Sequence, residues 1–477
     1  MSDAAGDWRR QLLESVRLEP EAGEPVNPLG WPGYSGAQAV RWGHAQLGQS
    51  RAVVAAWDFA VQGGSFGERD ATAFLAAVDA ATGAGVPLVS LLRSGGTRLQ
   101  EGMAALVGMP RATLGVRRLA AAGVPHIAVA DQPTTGGVWV TIGSRADIRA
   151  AVDTAVVGFA GPHVVEALTG AVPTKEGPQA SHSARSAADA GLVDALLEPH
   201  AVRDWLLGVL AELTDGGWPE AGHADVAADT EASPIPAAGG WEQVQRARTT
   251  PRASGLDLLE QLVPAGQPLR GADATVAARI GRLAGGSGCV VGVAVAAERG
   301  GMPTVAGYRL LTRAAELAGR LRIPLVSLVD TPGADASPAQ ENDGMATAIG
   351  DAMDAVLGCT SPTVSVLHGE GGSGGALAAA STDRVLVTGD SYFAALGPEG
   401  AAVTLRRPAD EAMRLMRVTP ADLVALGFAA RTVAAGAIVP AVAQAVHELV
   451  VLPPDERLAA RDHCWSQPLP GHLPPLA

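Results

Sequence analysis

The feature that most constrains this chain is a set of landmarks that recurs, in the same order, about 237 positions later. The segment VPLVSLLRSGG, which begins at Val86, matches IPLVSLVDTPG, which begins at Ile323, and their prolines lie 237 positions apart. Glycines on either side recur at offsets of 236 to 238: Gly63-Gly64 with Gly300-Gly301, Gly136-Gly137 with Gly374-Gly375, Gly161 with Gly397, and Gly191 with Gly427. An ordered series with nearly constant spacing indicates two tandem copies of one fold.

The repeat divides the chain into four predicted segments. We expect an N-terminal extension over residues 1–30, a first domain over 31–215, a linker over 216–254 and a second domain over 255–477. A length of 477 residues fits two or more domains. The segment between the copies is rich in Ala, Gly, Pro and acidic residues, which is typical of an exposed linker.

Each copy alternates short apolar runs with helical stretches. Apolar runs that predict strands lie at 52–57, 87–92 and 126–131, and again at 289–296, 324–329 and 363–368. Between the first two runs of each copy, residues 71–85 and 308–321 predict helices. Strands that alternate with helices and are apolar throughout indicate a parallel sheet covered on both faces. The predicted fold class is therefore α/β, with two tandem domains.

Net charge and cysteine usage exclude several classes of protein. The formal net charge is −14 and no block is rich in Lys or Arg, so we expect no nucleic-acid partner. Cys289, Cys359 and Cys464 are far apart and form no CxxC pair, so we expect neither a disulfide framework nor a metal site. The N-terminal sequence lacks a signal-peptide pattern and no apolar run reaches transmembrane length, so we expect a cytoplasmic protein that binds no membrane.

Two glycine turns follow neighbouring strands in each copy. They are Gly95-Gly96 and Gly136-Gly137 in the first copy, and Gly333 and Gly374-Gly375 in the second. Glycine lets the backbone approach a ligand, and a helix that begins at such a turn leaves its first N–H groups free. Two such donors on one oxygen form an oxyanion hole, which suits a thioester that becomes an enolate.

Simpler explanations exist for each glycine turn taken alone. A Gly pair is more often a tight turn or a close packing contact. SGGTR does not match the GxxxxGK[ST] phosphate loop, and GEGGSGGA contains no GxGxxG placed after a first strand with an acidic residue about twenty positions further on. The duplication of both turns is what favours the oxyanion hole.

No other catalytic constellation competes with the glycine turns. The chain has no GxSxG nucleophile elbow and no HExxH motif. His368 lies beside the second turn, but a satisfied strand-end histidine is the commoner explanation of such a residue. Asp330 and Glu370 stand at predicted strand ends, where an electrostatic role, a surface position and a capping role all remain open. We expect no function for Asp462-His463-Cys464, which lies in a Pro-rich tail.

The glycine turns and their flanking segments resemble the carboxyltransferase of acetyl-CoA carboxylase. Segments similar to its β (N-terminal) half are WDFAVQGGSFGE, SGGTRLQEG, QPTTGGVWV and VGFAGPHVVE. Segments similar to its α (C-terminal) half are GMPTVAGYRL, VSLVDTPGA, HGEGGSGGALA and ALGPEGAA. The fused halves also resemble the β-subunits of propionyl-type carboxylases. The resemblance implies two tandem crotonase-like domains with the ClpP/crotonase ββα-spiral fold.

The resemblance implies a biotin-dependent carboxyl transfer. In that chemistry carboxybiotin on a carrier protein enters a cleft between an N-half and a C-half and releases CO2. The biotin ureido nitrogen takes the α-proton of an acyl-CoA, and the thioester enolate attacks the CO2 to give malonyl-CoA or a homologue. Positioning and two oxyanion holes carry such catalysis, in agreement with the lack of an obvious side-chain base.

Site residues carry over from the family at the positions that match its motifs. Gly136 and Gly137 would hold the acyl-CoA carbonyl oxygen, and Gly375 and Ala376 the biotin carbonyl. The further expected ligand-binding residues are Gly95 and Gly96 on the coenzyme A side, Gly333 and Ala334 on the biotin side, and Arg98 and Gly374.

The resemblance also implies partners, an assembly and two alternatives. No MKM biotinylation site and no ATP-grasp glycine loop are present, so we expect a separate biotin carboxylase and biotin carboxyl carrier protein. We also expect a homo-oligomer, specifically a homohexamer.

One alternative to carboxyl transfer is a malonyl-thioester decarboxylase, because SGGTRLQE is also similar to a segment of malonate decarboxylase. The other is an inactive scaffold paralogue, against which the retained glycine turns argue. The small side chains of Ala378–Ala380 would leave room for a longer acyl group.

Overall fold

The computed structural model describes residues 4–21, 24–170, 181–214, 239–285, 288–469 and 471. The chain divides into two units, Met1–Asp215 and Gly216–Ala477. Each unit contains one eight-stranded sheet together with helices. The predicted α/β class is confirmed.

The described part of the first unit contains eight strands and seven α-helices. The strands are β1 (Val16–Leu18), β2 (Val40–Leu47), β3 (Ser50–Trp57), β4 (Leu88–Ser94), β5 (His126–Thr135), β6 (Ile148–Val152), β7 (Val157–Gly158) and β8 (Ala195–Leu197). The helices are α1 (Ala4–Glu14), α2 (Glu68–Ala84), α3 (Met103–Ala122), α4 (Gly136–Thr141), α5 (Pro162–Thr169), α6 (Ala184–Asp189) and α7 (Val202–Thr214). Short 3-10 turns lie at Gln62–Gly64, Leu99–Glu101, Gly143–Arg145 and Pro199–Ala201.

The described part of the second unit contains eight strands and eleven α-helices. The strands are β9 (Gln267–Leu269), β10 (Val276–Arg282), β11 (Cys289–Val295), β12 (Leu325–Thr331), β13 (Thr363–Gly372), β14 (Arg384–Thr388), β15 (Tyr392–Ala394) and β16 (Arg431–Val433). The helices are α8 (Gly240–Thr249), α9 (Gly255–Leu262), α10 (Val305–Leu321), α11 (Pro338–Asn342), α12 (Met345–Leu357), α13 (Ser373–Ala380), α14 (Pro398–Leu405), α15 (Ala409–Met416), α16 (Pro420–Ala425), α17 (Ile438–Val450) and α18 (Pro454–Ser466). A 3-10 turn lies at Ala435–Ala437.

The two sheets have equivalent topologies. Their strand orders are β1-β2-β3-β4-β5-β6-β8 with β7 beside β5, and β9-β10-β11-β12-β13-β14-β16 with β15 beside β13. From β3 and from β11 onward every pairing is parallel, as predicted. The edges β1-β2-β3 and β9-β10-β11 are antiparallel, which the apolar runs did not predict. Strand β2 alternates buried and accessible residues, a pattern typical of a strand with one wet face.

Element boundaries repeat at the offset that the sequence indicates. Strands β4 and β5 begin and end 237 positions before β12 and β13, and α2 does so before α10. Helix α2 shows why these segments form as they do: its buried Ala71, Phe74, Val78 and Ala81 recur every three or four residues, so one face packs on the sheet. Gly85, with φ +63°, then ends the helix in the left-handed conformation that glycine tolerates.

The cores lie between sheet and helices in each unit. In the first unit, residues from β3, β4 and β5 pack with α2 and α3, around Trp57, Phe74 and Leu88. In the second unit, α9 and α17 pack on β11–β14, around Leu259, Val326 and Val446. These clusters are almost fully shielded from water, so they supply the hydrophobic stabilisation of each unit.

Both predicted connecting segments contain regular elements that were not predicted. In the predicted extension, β1 pairs with β2 and forms the edge of the first sheet. In the predicted linker, residues 216–238 lie outside the described residues, and α8 packs in the second unit through buried Val244 and Ala247. The helix was not predicted because its few apolar residues stand in a polar sequence, and only its tertiary contacts bury them.

Among the described residues, no single helix is both long and apolar enough to cross a bilayer. One pair of helical segments in the described part of the chain, Ala435–Val450 and Pro454–Ser466, reaches that length and hydropathy together, and the two meet at a bend of 113°.

Candidate functional site

The first candidate half-site consists of residues 94–97, after β4, and residues 135–138, where β5 passes into α4. The two turns touch, because a Cβ added to Gly136 would stand 2.8 Å from the Cα of Gly96. Both glycines also have positive φ, +114° for Gly96 and +66° for Gly136. Only glycine at both positions combines this backbone conformation with such a close approach.

Internal hydrogen bonds determine which backbone donors of the first half-site remain free. The Gly96 N–H donates to Ser94 Oγ at 3.1 Å, and the Gly136 N–H donates to the Phe159 carbonyl at 3.0 Å. The Thr97 N–H has no acceptor among the described residues. Gly137 is the second residue of α4, so its N–H has no intrahelical acceptor either. The donors that a ligand oxygen can use are therefore those of Thr97 and Gly137, and not that of Gly136.

The second candidate half-site consists of residues 331–334 and 372–375 and is built in the same way. The Gly333 N–H donates to Thr331 Oγ1 at 3.2 Å, as Gly96 does to Ser94. A Cβ added to Gly372 would stand 1.7 Å from the Pro332 carbonyl oxygen, so these turns are also in direct contact. Ser373, the first residue of α13, has φ +51° and occupies the place of Gly136.

The free donors of the second half-site come from Ala334 and from the first turn of α13. The Ala334 N–H has no acceptor among the described residues. Its nitrogen lies 2.9 Å from where a Cβ of Gly375 would stand. In a helix that begins at Ser373, the amides of Gly374 and Gly375 also lack intrahelical acceptors. The structure thus brings Gly333, Ala334, Gly374 and Gly375 together.

Of the expected catalytic positions in the second unit, Gly375 lies among the free donors and Ala376 does not. The expected pairing of Gly136-Gly137 with Gly374-Gly375 is displaced by one residue, because α4 begins at Gly136 and α13 at Ser373. The counterpart of Gly137 is therefore Gly374. Ala376 is the fourth residue of α13, where its N–H reaches the Gly372 carbonyl inside the helix. Sequence comparison missed this because Ser373 adopts a conformation that usually signals glycine.

Arg98 does not face a ligand. Its side chain is completely buried, and its Nη2 lies 2.7 Å from Asp70 Oδ2. The guanidinium also lies 3.6 Å from Glu101 Oε1, and it donates to the carbonyl oxygens of Ala37 and Ser65. The expectation that Arg98 binds the ligand is wrong, because its donors are committed to the protein interior.

The strand-end carboxylates of the second unit are buried and paired with arginines. Arg252 donates to both oxygens of Asp330, at 2.9 and 2.7 Å. Arg248 donates to Glu370 Oε2 at 3.0 Å and to Glu399 at 2.8 Å. Asp330 and Glu370 therefore fasten α8 and the segment after it to the sheet. The basic residues of RARTTPR are the sequence feature that could have indicated these ion pairs. Nothing in the sequence shows that they pair with carboxylates about 80 and 120 positions away.

His368 is buried on β13, with 2% of its surface exposed. Neither ring nitrogen has a hydrogen-bond partner among the described residues, so the expected satisfied histidine is not observed. Burial lowers the pKa of His368 to about 4, although the nearby Asp330 acts in the opposite direction. The imidazole is therefore neutral at physiological pH.

The C-terminal Asp462-His463-Cys464 lies in α18. Among the described residues, no group of three or more His, Cys, Asp or Glu side chains is arranged to hold a metal ion. Cys289 and Cys359 are buried, as expected for core residues.

Comparisons with known proteins agree on one family. Residues 42–198 match the family described as carboxyl transferase domain, and residues 229–448 match the family described as acetyl co-enzyme A carboxylase carboxyltransferase-like. The chain is 37% identical over 461 residues to the acetyl-coenzyme A carboxylase carboxyl transferase subunits beta/alpha of Salinispora tropica, an alignment that covers 92% of this chain and 78% of that protein. It is 31% identical over 444 residues to the probable biotin-dependent acyl-coenzyme A carboxylase beta3 subunit of Mycobacterium tuberculosis, which covers 89% and 88% of the two chains.

A solved structure shares the fold. The crystal structure of transcarboxylase 12S, described as a hexamer with methylmalonyl-coenzyme A and methylmalonic acid bound, superposes with a TM-score of 0.74. The superposition covers 93% of this chain and 90% of that one at 21% sequence identity. The predicted crotonase-like fold in two domains is thereby confirmed.

Proposed function

The chain belongs to the carboxyltransferase subunits of biotin-dependent acyl-CoA carboxylases, and from that premise we propose how its two half-sites divide the reaction. The first half-site holds the thioester carbonyl of an acyl-CoA, and the second holds the ureido carbonyl of biotin. The observation that carries this proposal is the duplication of free backbone donors, at Thr97 and Gly137 and again at Ala334, Gly374 and Gly375.

The donors of the first half-site suit an enolate. When the α-carbon of a thioester loses its proton, negative charge collects on the carbonyl oxygen. The Thr97 and Gly137 N–H groups are fixed in place by the contact between Gly96 and Gly136, so they stabilise that charge without rearrangement. Loss of one such donor typically lowers kcat by about 100- to 1,000-fold.

The donors of the second half-site fit a second carbonyl oxygen. Backbone N–H groups that lack an acceptor in the protein are the donor set that a neutral ureido carbonyl needs. Carboxybiotin bound there would supply both the carboxyl group and the base, which agrees with half-sites that contain no ionisable side chain. The chain's own contribution is to hold and orient the two ligands and to stabilise developing charge.

The finer assignment concerns substrates and partners. We propose acetyl-CoA, propionyl-CoA or a related acyl-CoA as acceptor, with malonyl-CoA or a homologue as product. A separate biotin carboxylase and a biotin carboxyl carrier protein would supply the carboxyl group. A homohexamer in the cytoplasm is proposed as the working form; the hexamer of transcarboxylase 12S supports the assembly.

The reverse reaction tests the proposed function with the purified chain alone. Malonyl-CoA or methylmalonyl-CoA is incubated with the protein, with and without biocytin, and the acyl-CoA products are separated by chromatography. Loss of the carboxyl group that depends on biocytin is the expected result. Equal loss of the carboxyl group without biocytin would show a decarboxylase on the same fold. No loss of the carboxyl group, with or without biocytin, would favour an inactive scaffold.

A further inference from the structure

The hydroxyl group of Tyr308 is buried against the second half-site and has no partner. Tyr308 lies in the first turn of α10 and has 0% of its surface exposed. Its Oη has no hydrogen-bond partner among the described residues. A Cβ added to Gly375 would stand 2.4 Å from this oxygen and 2.9 Å from the Ala334 nitrogen. The phenol and the free Ala334 N–H therefore lie at the same point of the half-site.

The first unit offers an internal comparison. At the 237-residue offset that relates α2 to α10, the counterpart of Tyr308 is Ala71, and the counterpart of Gly375 is Val138. Both Ala71 and Val138 are completely buried. The first unit thus combines a small helix residue with a branched one on α4, whereas the second combines a large helix residue with glycine on α13. In each unit the larger side chain of the pair fills the space that the smaller one leaves, but only the pair in the second unit includes a hydroxyl group.

Filling space does not by itself explain a tyrosine here. Phenylalanine would occupy the same volume without burying a polar oxygen. A buried hydroxyl without a partner costs free energy, because its hydrogen bonds with water are lost and not replaced. Buried polar groups of this kind are uncommon in native structures, and one that stands beside a ligand site points to a ligand as the missing partner.

The hydroxyl keeps its proton under ordinary conditions and can therefore donate a hydrogen bond to such a ligand. Burial raises the pKa of Tyr308 well above its usual range, so the phenol stays protonated. Gly374 is exposed and Ala334 is half-buried, whereas Tyr308 is closed off from solvent. Tyr308 therefore forms the floor of the half-site, and the backbone amides form its accessible side.

We propose that Tyr308 is a ligand-binding residue of the second half-site, where its hydroxyl donates a hydrogen bond to the ureido carbonyl oxygen of biotin. The inference rests on the proposed function, since it names the ligand of that half-site. It adds a side-chain donor that the first half-site lacks, and so accounts for how two copies of one fold favour different carbonyl groups. A thioester meets backbone donors alone in the first unit, while a ureido group meets backbone donors and a phenol in the second.

The test removes only the hydroxyl. In Tyr308→Phe, kcat/KM for biocytin in the decarboxylation of malonyl-CoA should fall by about 10- to 100-fold, the usual effect of losing one hydrogen bond to a polarised carbonyl. The KM for malonyl-CoA should stay within about twofold of wild type. The thermal midpoint should be unchanged or higher, because no hydrogen bond within the protein is lost.

Tyr392→Phe is the matched control, because it removes a hydroxyl that does have a partner. Tyr392 donates to Glu370 Oε2 at 2.8 Å, so this variant should have a lower thermal midpoint and an unchanged kcat/KM for biocytin. An unchanged kcat/KM for biocytin in Tyr308→Phe would overturn the inference. A fall in the thermal midpoint with equal losses for both ligands would also overturn it, since that pattern means a structural role.

Failure of the proposed function would give a different result. In that case the wild type itself would show no dependence on biocytin. Binding of biocytin to the wild type and to Tyr308→Phe, measured by titration calorimetry, then decides the inference separately. Weaker binding by the variant supports it, and equal binding or no binding by either protein overturns it.

Discussion

At the scale of single residues, burial decides what a charged side chain can do, and Arg98 shows this most directly. Its guanidinium stands between Asp70 and Glu101, and all three side chains are shielded from water. Asp70 is held further by the amides of Ala39 and Val40, at 2.6 and 2.9 Å. Burial raises the pKa of Asp70, and Arg98 opposes that shift. Arg98 is therefore the counter-charge for two buried carboxylates, and its removal would leave them unpaired inside the protein.

Replacement of Arg98 should thus affect folding and not ligand binding. We expect Arg98→Met to lower the free energy of unfolding by about 3–5 kcal/mol, because two buried carboxylates lose their counter-charge. Urea denaturation measures this effect. Arg111→Met is the control: Arg111 lies 3.9 Å from Glu68 on an exposed surface, and its loss should change stability by less than about 1 kcal/mol. A stable Arg98→Met protein with a raised KM for malonyl-CoA would restore Arg98 to the ligand site.

His368 should make the stability of the second unit depend on pH. Its pKa is about 4 in the folded chain and 6.5 as a free side chain, so between these values the unfolded state binds more protons. Stability contributed by the neutral histidine is therefore present above about pH 6.5 and lost as the pH falls towards 4. The full loss is on the order of 3 kcal/mol.

Substitution of His368 by leucine should remove this part of the pH dependence. The measurement is the urea midpoint of the wild type and of His368→Leu from pH 4 to pH 7.5. The wild-type curve should fall more steeply below pH 6.5, and the two curves should converge towards neutral pH or cross. His200→Leu, at an exposed histidine, should follow the wild type. Parallel curves for the wild type and His368→Leu would contradict the assigned burial effect.

At the scale of elements, the start of α13 stores strain that the equivalent helix of the first unit avoids. Ser373 has φ +51°, while its counterpart Gly136 has φ +66°. A left-handed conformation destabilises a residue with a side chain by about 1–2 kcal/mol in the folded chain. Glycine avoids this cost, but its greater freedom in the unfolded chain lowers the free energy of unfolding by about 0.5–1 kcal/mol. Ser373→Gly should therefore raise the free energy of unfolding by about 0.5–1 kcal/mol.

The matched control for this helix start is Ser337→Gly, the same substitution at the residue before α11. Ser337 has φ −65°, a conformation that any residue adopts, so glycine gains nothing there and stability should be unchanged or slightly lower. Thermal unfolding of both variants measures the difference. A loss of stability in Ser373→Gly would mean that the serine side chain contributes more than its backbone strain costs.

Some helices and strands could be predicted closely from the sequence, and others were missed. The runs at 87–92 and 324–329 predict β4 and β12 within a few residues, because strands buried on both faces are continuously apolar. The β2 and β10 strands of the antiparallel edges were missed, because their patterns carry no continuous apolar run. Helix α8 was missed because its few apolar residues stand in a polar sequence, and only its tertiary contacts bury them.

The same contrast holds for the candidate site. Gly96, Gly136 and Gly333 could be predicted, because their positive φ and close contacts leave a glycine signal in the sequence. The role of Tyr308 could not be predicted, because nothing in the sequence of a helix shows that one of its hydroxyl groups lies beside a turn from another part of the chain. Arg98 was expected to bind the ligand because it follows a glycine turn in the sequence, and only the packing around Asp70 reveals its burial.

At the scale of the whole molecule, duplication provides two versions of one half-site that could change independently. Both units keep two touching turns, the glycines at the positions of Gly96 and Gly137, and free N–H groups. The changes that distinguish them include Ser373 for Gly136, Pro332 for Gly95, and Tyr308 with Gly375 in place of Ala71 with Val138. Division of labour between the units is thus the central claim, with an acyl-CoA at the first half-site and biotin at the second.

Two alanine substitutions can obstruct one half-site each without disturbing the fold. A Cβ at Gly374 would have no atom within 4 Å, and one at Gly95 would meet only the Gly63 carbonyl at an ordinary 3.4 Å. Both glycines also lack the positive φ that would exclude alanine. Unchanged thermal midpoints would verify that the two variants fold as the wild type does.

The most direct measurement is therefore the KM of both ligands in biocytin-dependent decarboxylation by the wild type, Gly95→Ala and Gly374→Ala. Division of labour predicts a crossed pattern: Gly95→Ala raises the KM for malonyl-CoA by about tenfold, and Gly374→Ala does so for biocytin, the equivalent of about 1.4 kcal/mol each. Each variant should leave the KM of the other ligand within about twofold of wild type. If both variants raise the KM of the same ligand, the assignment of one ligand to each unit is contradicted.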